Sequence, residues 1–118
     1  MIRPSGTRVQ IHICRKAVDF RKHVNGLSSI VQHQFKLNPM SGQMFVFFNR
    51  KKDKIRILQW ERSGFVLFGK YLEEDHFYLP KGEGDLVNIT VEQLNWLIDG
   101  VDINLIKPHP ERKYDLVS

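Results

Sequence analysis

Apolar residues between positions 38 and 72 fall into three short runs separated by polar turns. The runs cover residues 44–48, 55–60 and 65–72. Runs of this length, bounded by glycine, serine and charged residues, are typical of β-strands joined by hairpins. The pattern therefore predicts an antiparallel β-meander. Because residues 45–48 are apolar at every position, we expect the first of these strands to be covered on both faces.

The chain ahead of the meander shows two other periods. In residues 8–13, apolar and polar side chains alternate, which predicts a half-buried strand with His12 on its polar side. From Asp19 onward the period changes to that of a helix with one buried face, and Asp19 is expected to cap a helix that runs to Phe35. The apolar positions of this helix are Phe20, Val24, Leu27, Val31 and Phe35.

Behind the meander, the signals are shorter. Residues 76–79 are consistent with a short fourth strand, and residues 80–85 with a flexible, glycine-containing loop. Thr90 followed by Gln93 is a capping-box pattern, so a second helix is expected to begin there. Gly100 is a suitable stop for this helix.

These elements predict an α+β fold. We expect a single domain over residues 1–106, with an antiparallel sheet built around the meander, one long helix packed on it and a second helix near the C-terminus. Residues 107–118 contain two prolines and mixed charge, and are expected to form a flexible tail.

Composition limits the setting in which the chain works. No stretch approaches the roughly 18 apolar residues needed to span a membrane, and the N-terminus lacks the apolar region of a secretory signal. The single cysteine, Cys14, excludes an intrachain disulfide and is expected to be a small buried side chain. We therefore expect a reducing, cytoplasmic location.

Charge is distributed unevenly along the sequence, although the net charge is only +5. Residues 1–60 contain 12 Lys and Arg against two acids, whereas residues 61–118 contain 6 against 11. The asymmetry predicts either a basic face for nucleic acid with an acidic face elsewhere, or two halves that attract each other in the fold.

The first turn of the meander carries the densest positive charge. Lysine and arginine side chains at a hairpin tip can neutralise phosphates, so this turn is the candidate nucleic-acid-binding site. The candidate residues are Arg50, Lys51, Lys52, Lys54 and Arg56, with Arg21 and Lys22 at the start of the first helix. The alternative is a solubilising turn that protects a sheet edge.

Four aromatic side chains follow the basic turn closely in sequence. Aromatic rings beside cations can stack on bases, but in alternating strands they more often belong to the core, which is the interpretation we favour here. The residues are Trp60, Phe65, Phe68 and Tyr71.

Motifs of catalysis are missing from the sequence. It contains no phosphate-binding glycine loop, and its five histidines do not show the spacing of a metal site. We therefore expect no enzyme activity, no cofactor and no metal.

Several short motifs together resemble the accessory proteins of the insertion sequence 66 family, called TnpB or Orf2. The resemblance begins at Val18-Asp19-Phe20-Arg21-Lys22 with Gly26-Leu27, and covers about residues 8–103. Further matching positions are Asn38-Pro39, Ser41-Gly42, Phe45-Val46-Phe47, Asn49-Arg50, Asp53, Ile55, Leu58, Trp60, Gly64-Phe65, Leu67, Lys70, Leu72-Glu73, Phe77, Pro80, Gln93-Leu94 and Leu97 to Gly100. One departure is Tyr71, because the family usually has arginine after the lysine at this point.

The resemblance implies a small protein encoded by a transposable element beside a separate DDE transposase. Such a protein would assist DNA transposition without being an enzyme. Its expected partners are DNA and the transposase. An adaptor that binds only protein, without direct DNA contact, is the alternative.

Overall fold

A mixed five-stranded sheet with helices on both faces forms the body of the protein. The computed structural model describes residues 9–106. The strands are β1 (Ile11–Cys14), β2 (Met44–Phe48), β3 (Lys54–Glu61), β4 (Gly64–Tyr71) and β5 (Leu86–Ile89), and the helices are α1 (Val24–Ser29) and α2 (Val91–Ile98). A π-helical turn, Ile30–Gln34, continues α1, and a 3-10 turn, Ile103–Leu105, follows α2. The predicted α+β class is confirmed.

The strand order across the sheet is β4-β3-β2-β1-β5. The pairs β2–β3 and β3–β4 are antiparallel, so the predicted meander is confirmed. All five residues of β2 are buried, as expected for a strand covered on both faces. On its other side β2 pairs with β1 in parallel, which makes the sheet mixed. A parallel pair needs a crossover, and α1 supplies it.

Side chains alternate along the strands and so form a separate core on each face of the sheet. The core on the α1 face contains Cys14, Leu27, Ile30, Val31, Phe45, Phe47 and Leu58. The core on the α2 face contains Ile11, Ile13, Met44, Val46, Phe48, Ile55, Ile57, Phe77, Leu94, Leu97, Ile98 and Ile103. Burial of apolar area on both faces is the main source of stability for such a layered fold.

The first helix begins later than the sequence predicts. Its first residue is Val24, and the residue before it, His23, makes no side-chain cap. Asp19 does not cap the helix because its carboxylate accepts hydrogen bonds from the backbone and guanidinium of Arg21. Residues 19–22 therefore form a separate turn, closed by Lys22 N donating to Asp19 O at 3.0 Å.

The predicted fourth strand at residues 76–79 is wrong. These residues form no strand; instead Phe77 inserts its fully buried ring into the α2-face core, and its backbone N donates to Lys52 O at 2.7 Å. The last strand is β5, which the sequence patterns did not indicate. It pairs antiparallel with β1, Leu86 lying opposite Cys14.

The second helix agrees with its sequence signals. Thr90 caps it in a full capping box with Gln93, and Gly100 follows with a φ of 86°. The Nζ of Lys70 donates to Ile98 O at 2.8 Å, so a cation satisfies a carbonyl at the helix C-terminus.

All four residues of β1 are buried, so the prediction of a half-buried strand is wrong. His12, expected on the polar side, is 7% exposed and stacks on Phe45 with ring centroids 5.1 Å apart. Its ring nitrogens bond to the side-chain amides of Gln43 and Asn88. Cys14 is buried, as expected, and burial raises the pKa of its thiol. Arg8 and the predicted tail at residues 107–118 lie outside the described residues.

The parallel pairing of β1 and β2 determines which segments meet. Segments that follow parallel strands leave the same end of the sheet, so residues 15–22 and the turn at residues 49–53 are neighbours. The end of β4 joins them, because Tyr71 pairs with Lys54. We call this the basic end of the sheet. The opposite end, which carries the turn at residues 62–63, is called the far end.

Candidate nucleic-acid interface

Side-chain hydrogen bonds fix the shape of the turn between β2 and β3. Asn49 Nδ2 donates to the carboxylate of Asp53 at 2.7 Å, and Asn49 Oδ1 accepts from Lys54 N at 3.0 Å. The hydrogen bond from Asn49 lowers the pKa of Asp53. With the turn fixed in this way, Arg50 and Lys51 are left exposed at its tip.

Arg56 holds the segment before α1 against the sheet. Its guanidinium Nη1 donates to Phe20 O at 2.9 Å and to Lys22 O at 2.8 Å. The same group lies 4.7 Å from the centroid of the Phe20 ring, within the range of a cation–π contact. Arg56 is thus a positioning residue as well as a source of positive charge.

Asp19 and Arg21 form an ion pair at the outer edge of this segment. Arg21 Nη2 lies 2.6 Å from Asp19 Oδ2, and the two side chains are 91% and 45% exposed respectively. The hydrogen bonds from Arg21 lower the pKa of Asp19 to about 2, and those bonds in turn raise the pKa of Arg21. The carboxylate is therefore ionised at neutral pH, while the rest of the guanidinium faces solvent.

Together, these segments form an open groove of about 520 Å³ at the basic end. The groove is lined by Ala17, Val18, Asp19, Phe20, Arg21, Asn49, Arg50, Lys54, Arg56 and Tyr71. Its charged lining comprises four cations and one carboxylate, so the groove is electropositive. Val18 N donates to Phe48 O at 2.9 Å, which joins one wall to the end of β2.

Tyr71 is the exposed aromatic side chain of the groove. It is 57% exposed, and the Lys54 ammonium lies 5.4 Å from its ring centroid. The other three aromatics named above differ: Phe65 and Phe68 pack against the two cores, and Trp60 meets Phe65 edge-on at 5.0 Å. The core interpretation thus fits Phe65 and Phe68, whereas Trp60 is half-buried against Phe65 and Tyr71 is exposed.

The structure brings together four of the seven predicted binding residues. Arg21, Arg50, Lys54 and Arg56 line the groove. Lys51 and Lys52 belong to the turn but do not line the groove. The backbone of Lys52 has a φ of 61°. Lys22 packs its stem beside the helix, where a Cβ on Gly26 would lie 2.8 Å from Lys22 Cβ.

Two aromatic residues of the groove are absent from the predicted binding residues: Phe20 was missed, and Tyr71 was considered for base stacking but assigned to the core. Tyr71 could have been found from the two-residue turn that follows Glu61, because that register sets position 71 opposite Lys54. Phe20 has no such signal, since only the crossover between β1 and β2 brings it to the turn.

Acidic residues of the second half also lie at the basic end. Residues 73–75 are Glu-Glu-Asp, and the backbone on each side of them is hydrogen-bonded to the turn. Leu72 N donates to Asp53 O at 2.8 Å and Phe77 N donates to Lys52 O at 2.7 Å. The segregation of charge along the sequence is therefore not a segregation in space.

Other kinds of site find no support within residues 9–106. No three His, Cys, Asp or Glu side chains in this range are grouped so that they could hold a metal ion. Nor does any helix in the described part of the chain have the length and apolar character to cross a membrane.

Comparison with known proteins gives the family. The family described as "IS66 Orf2 like protein" matches residues 9–108, which include the whole sheet and both helices, and the chain belongs to this family. The family is one of accessory proteins associated with transposition of insertion sequences.

Two relatives from Sinorhizobium fredii (strain NBRC 101917 / NGR234) are similar over most of their length. The uncharacterized protein y4jC is 31% identical over 113 residues, covering 96% of each chain. The uncharacterized protein y4hO is 34% identical over 99 residues, covering 84% of this chain and 86% of its own. No solved structure shows a significant match.

Proposed function

We propose that this protein is a non-enzymatic accessory factor of DNA transposition that contacts DNA through the groove at the basic end. It would act beside a separate transposase, in the reducing cytoplasm expected from the sequence. The family supplies the process, transposition. The observation that carries the DNA contact is the convergence of Arg21, Arg50, Lys54 and Arg56 on one groove.

The arrangement of these cations supports phosphate binding over simple solubilisation. They come from two segments that are far apart in sequence, and Arg56 and Asn49 fix both segments in place. Cations carried on a fixed backbone lose less conformational freedom on binding than cations on a mobile loop. A lysine turn that only protects a sheet edge would not require hydrogen bonds that fix two distant segments beside each other.

The positions of the acids support a non-enzymatic role. Metal-dependent cleavage of DNA needs carboxylates that converge on one point. Asp19 is paired with Arg21, and Asp53 with Asn49, at the basic end. Glu61 lies at the other end of β3, about 23 Å along the strand from Lys54.

A salt titration of duplex-DNA binding tests the proposal. If four cations each neutralise one phosphate, the logarithm of the binding constant should fall with the logarithm of salt concentration with a slope of roughly −3 to −4. Affinity that stays undetectable at low salt, where phosphate contacts are strongest, would remove direct DNA binding.

One observation favours the adaptor alternative, in which the protein binds transposase without touching DNA. The acidic residues 73–75 are anchored beside the basic turn and weaken its positive field. The adaptor predicts that the protein copurifies with the transposase from a nuclease-treated lysate, and that neutralising Arg50 leaves this association unchanged. Loss of the association on nuclease treatment would instead show that DNA bridges the two proteins.

A further inference from the structure

We infer that the groove accepts an unpaired nucleotide of single-stranded DNA, whose base stacks on Tyr71. The inference rests on the proposed DNA contact and specifies the form of DNA that the groove takes. It starts from the one aromatic side chain that the meander leaves exposed among cations.

The position of Tyr71 suits stacking. The Lys54 ammonium lies 5.4 Å from its ring centroid, which holds the side chain from one side. The ring also leans over the strand at Gly69, where its Cε1 atom would be 3.9 Å from an added Cβ. Gly69 itself adds no side chain beside the ring; Arg56 Cγ would lie at the same 3.9 Å from an added Cβ, and 57% of the tyrosine stays open to solvent.

The shape and size of the groove favour an unpaired base. Its volume of about 520 Å³ falls in the range of about 300–1,000 Å³ that is usual for pockets holding small molecules, a class that includes a nucleotide. In an intact duplex the faces of the bases are stacked on each other, so an aromatic ring in a groove wall has no base to meet. Proteins that bind single strands combine a positive groove with exposed aromatic rings.

The charges of the groove give the nucleotide an orientation. Asp19 and Arg21 already compensate each other as an ion pair, whereas Arg50 and Lys54 line the same groove outside that pair. Phosphates are therefore expected beside Arg50 and Lys54. The base would lie against the Tyr71 ring, toward the segment that carries the Asp19–Arg21 pair.

The test compares the affinities of Tyr71 variants for single-stranded and double-stranded DNA. The full protein chain is titrated at low salt into a labelled 12-nucleotide single strand or a labelled blunt duplex of the same sequence, and the fluorescence anisotropy of the DNA is measured. We expect Tyr71→Ala to weaken single-strand binding about tenfold and to leave duplex binding within about twofold. Tyr71→Phe should bind like the unchanged protein, while Tyr71→Leu, which keeps the bulk without the ring, should behave like Tyr71→Ala.

Val66→Ala is the matched control, because Val66 is an exposed side chain of the same strand that points away from the groove. It should leave both affinities unchanged. Equal losses on both probes, no loss with Tyr71→Ala and Tyr71→Leu, or tighter binding of a matched RNA strand would overturn the inference. If Tyr71→Ala and Tyr71→Leu cause no loss but duplex binding still depends on Arg50, the inference fails and the proposed function stands. If neither DNA probe binds at low salt, the inference and the proposed DNA contact both fail.

Discussion

The basic end and the far end of the sheet are both closed by hairpin turns, yet their side chains do different work. At the far end, Trp60 packs edge-on against Phe65, and Gln59 donates to Gly42 O at 3.0 Å. At the basic end, Tyr71 is left open and is surrounded by cations. One turn is used for packing; the other presents a surface that packing does not explain.

The cations at the basic end fall into two groups of their own. Arg15, Arg56 and Lys70 donate to backbone carbonyls, so each has a structural use. Arg50 and Lys51 are exposed at the tip of a turn whose shape Asn49 fixes by hydrogen bonds. Charge that the fold does not require is the better indicator of a binding surface.

The largest difference between the two ends should be in the free energy of unfolding lost when one arginine is replaced at each end. Arg56→Met loses two charge-assisted hydrogen bonds and leaves two carbonyls unpaired, so we expect a loss of about 2–3 kcal/mol in the free energy of unfolding. Arg62→Met, at the far-end turn, should change it by less than about 0.5 kcal/mol. Urea denaturation followed by tryptophan fluorescence measures both, and equal losses would contradict the contrast.

A smaller effect is expected from the turn side chains. Asn49→Ala removes the bonds to Asp53 and to Lys54 N, and should cost about 1–2 kcal/mol. Because the bond from Asn49 is the main cause of the lowered pKa of Asp53, that pKa should also return toward 3.8. Ser63→Ala in the far-end turn is the control. Loss of stability in Asn49→Ala without any change in the pKa of Asp53 would argue against this turn geometry.

The acidic residues beside the basic turn should reduce DNA affinity modestly. At a separation of about 10 Å in water, one charge contributes about 0.4 kcal/mol, so the double variant Glu73→Gln with Glu74→Gln should bind DNA about fourfold more tightly. The gain should vanish near 0.5 M salt because the charges are then screened. Glu61→Gln with Glu92→Gln removes the same charge at the far end and should leave affinity nearly unchanged; a similar gain there would show that only net charge matters.

The smallest expected effect is on the pKa of Asp19, which forms an exposed ion pair with Arg21. The pKa of Asp19 should be about 2 and should rise toward 3.8 in Arg21→Gln, while Lys22→Gln should change it much less. Because the folded pKa is depressed, the contribution of the pair is present above the unfolded value of about 3.9 and is lost as pH falls through about 2. NMR titration of the side-chain carboxyl measures this. A midpoint near 3.8 in the unchanged protein would mean that the pair does not form in solution.

Local patterns predicted the parts of the fold that depend on neighbours in sequence. The meander, the buried strand β2 and the capping box at Thr90 all follow from spacing within a few residues. The late start of α1 was not predictable in this way, because Asp19 is as suitable for a turn as for a cap, and its choice depends on Arg21.

The long-range features lay beyond local patterns. Strand β5 has only four residues and finds its partner in β1, more than 70 positions earlier. The groove needs the crossover that brings residues 17–21 to the turn at residues 49–53. The sequence therefore indicated the cations of the site, but not Phe20, nor the exposure of Tyr71.

The most direct test of the central claim compares the loss of two cations at each end of the sheet. Salt titrations of DNA binding would be run on Arg50→Gln with Lys54→Gln, and on Lys36→Gln with Arg62→Gln, which removes the same charge at the far end. We predict that the groove variant lowers the steepness of the salt dependence by about 2 and weakens binding more than tenfold at low salt, while the far-end variant stays within about twofold. Equal losses in the two variants would contradict a binding site in the groove.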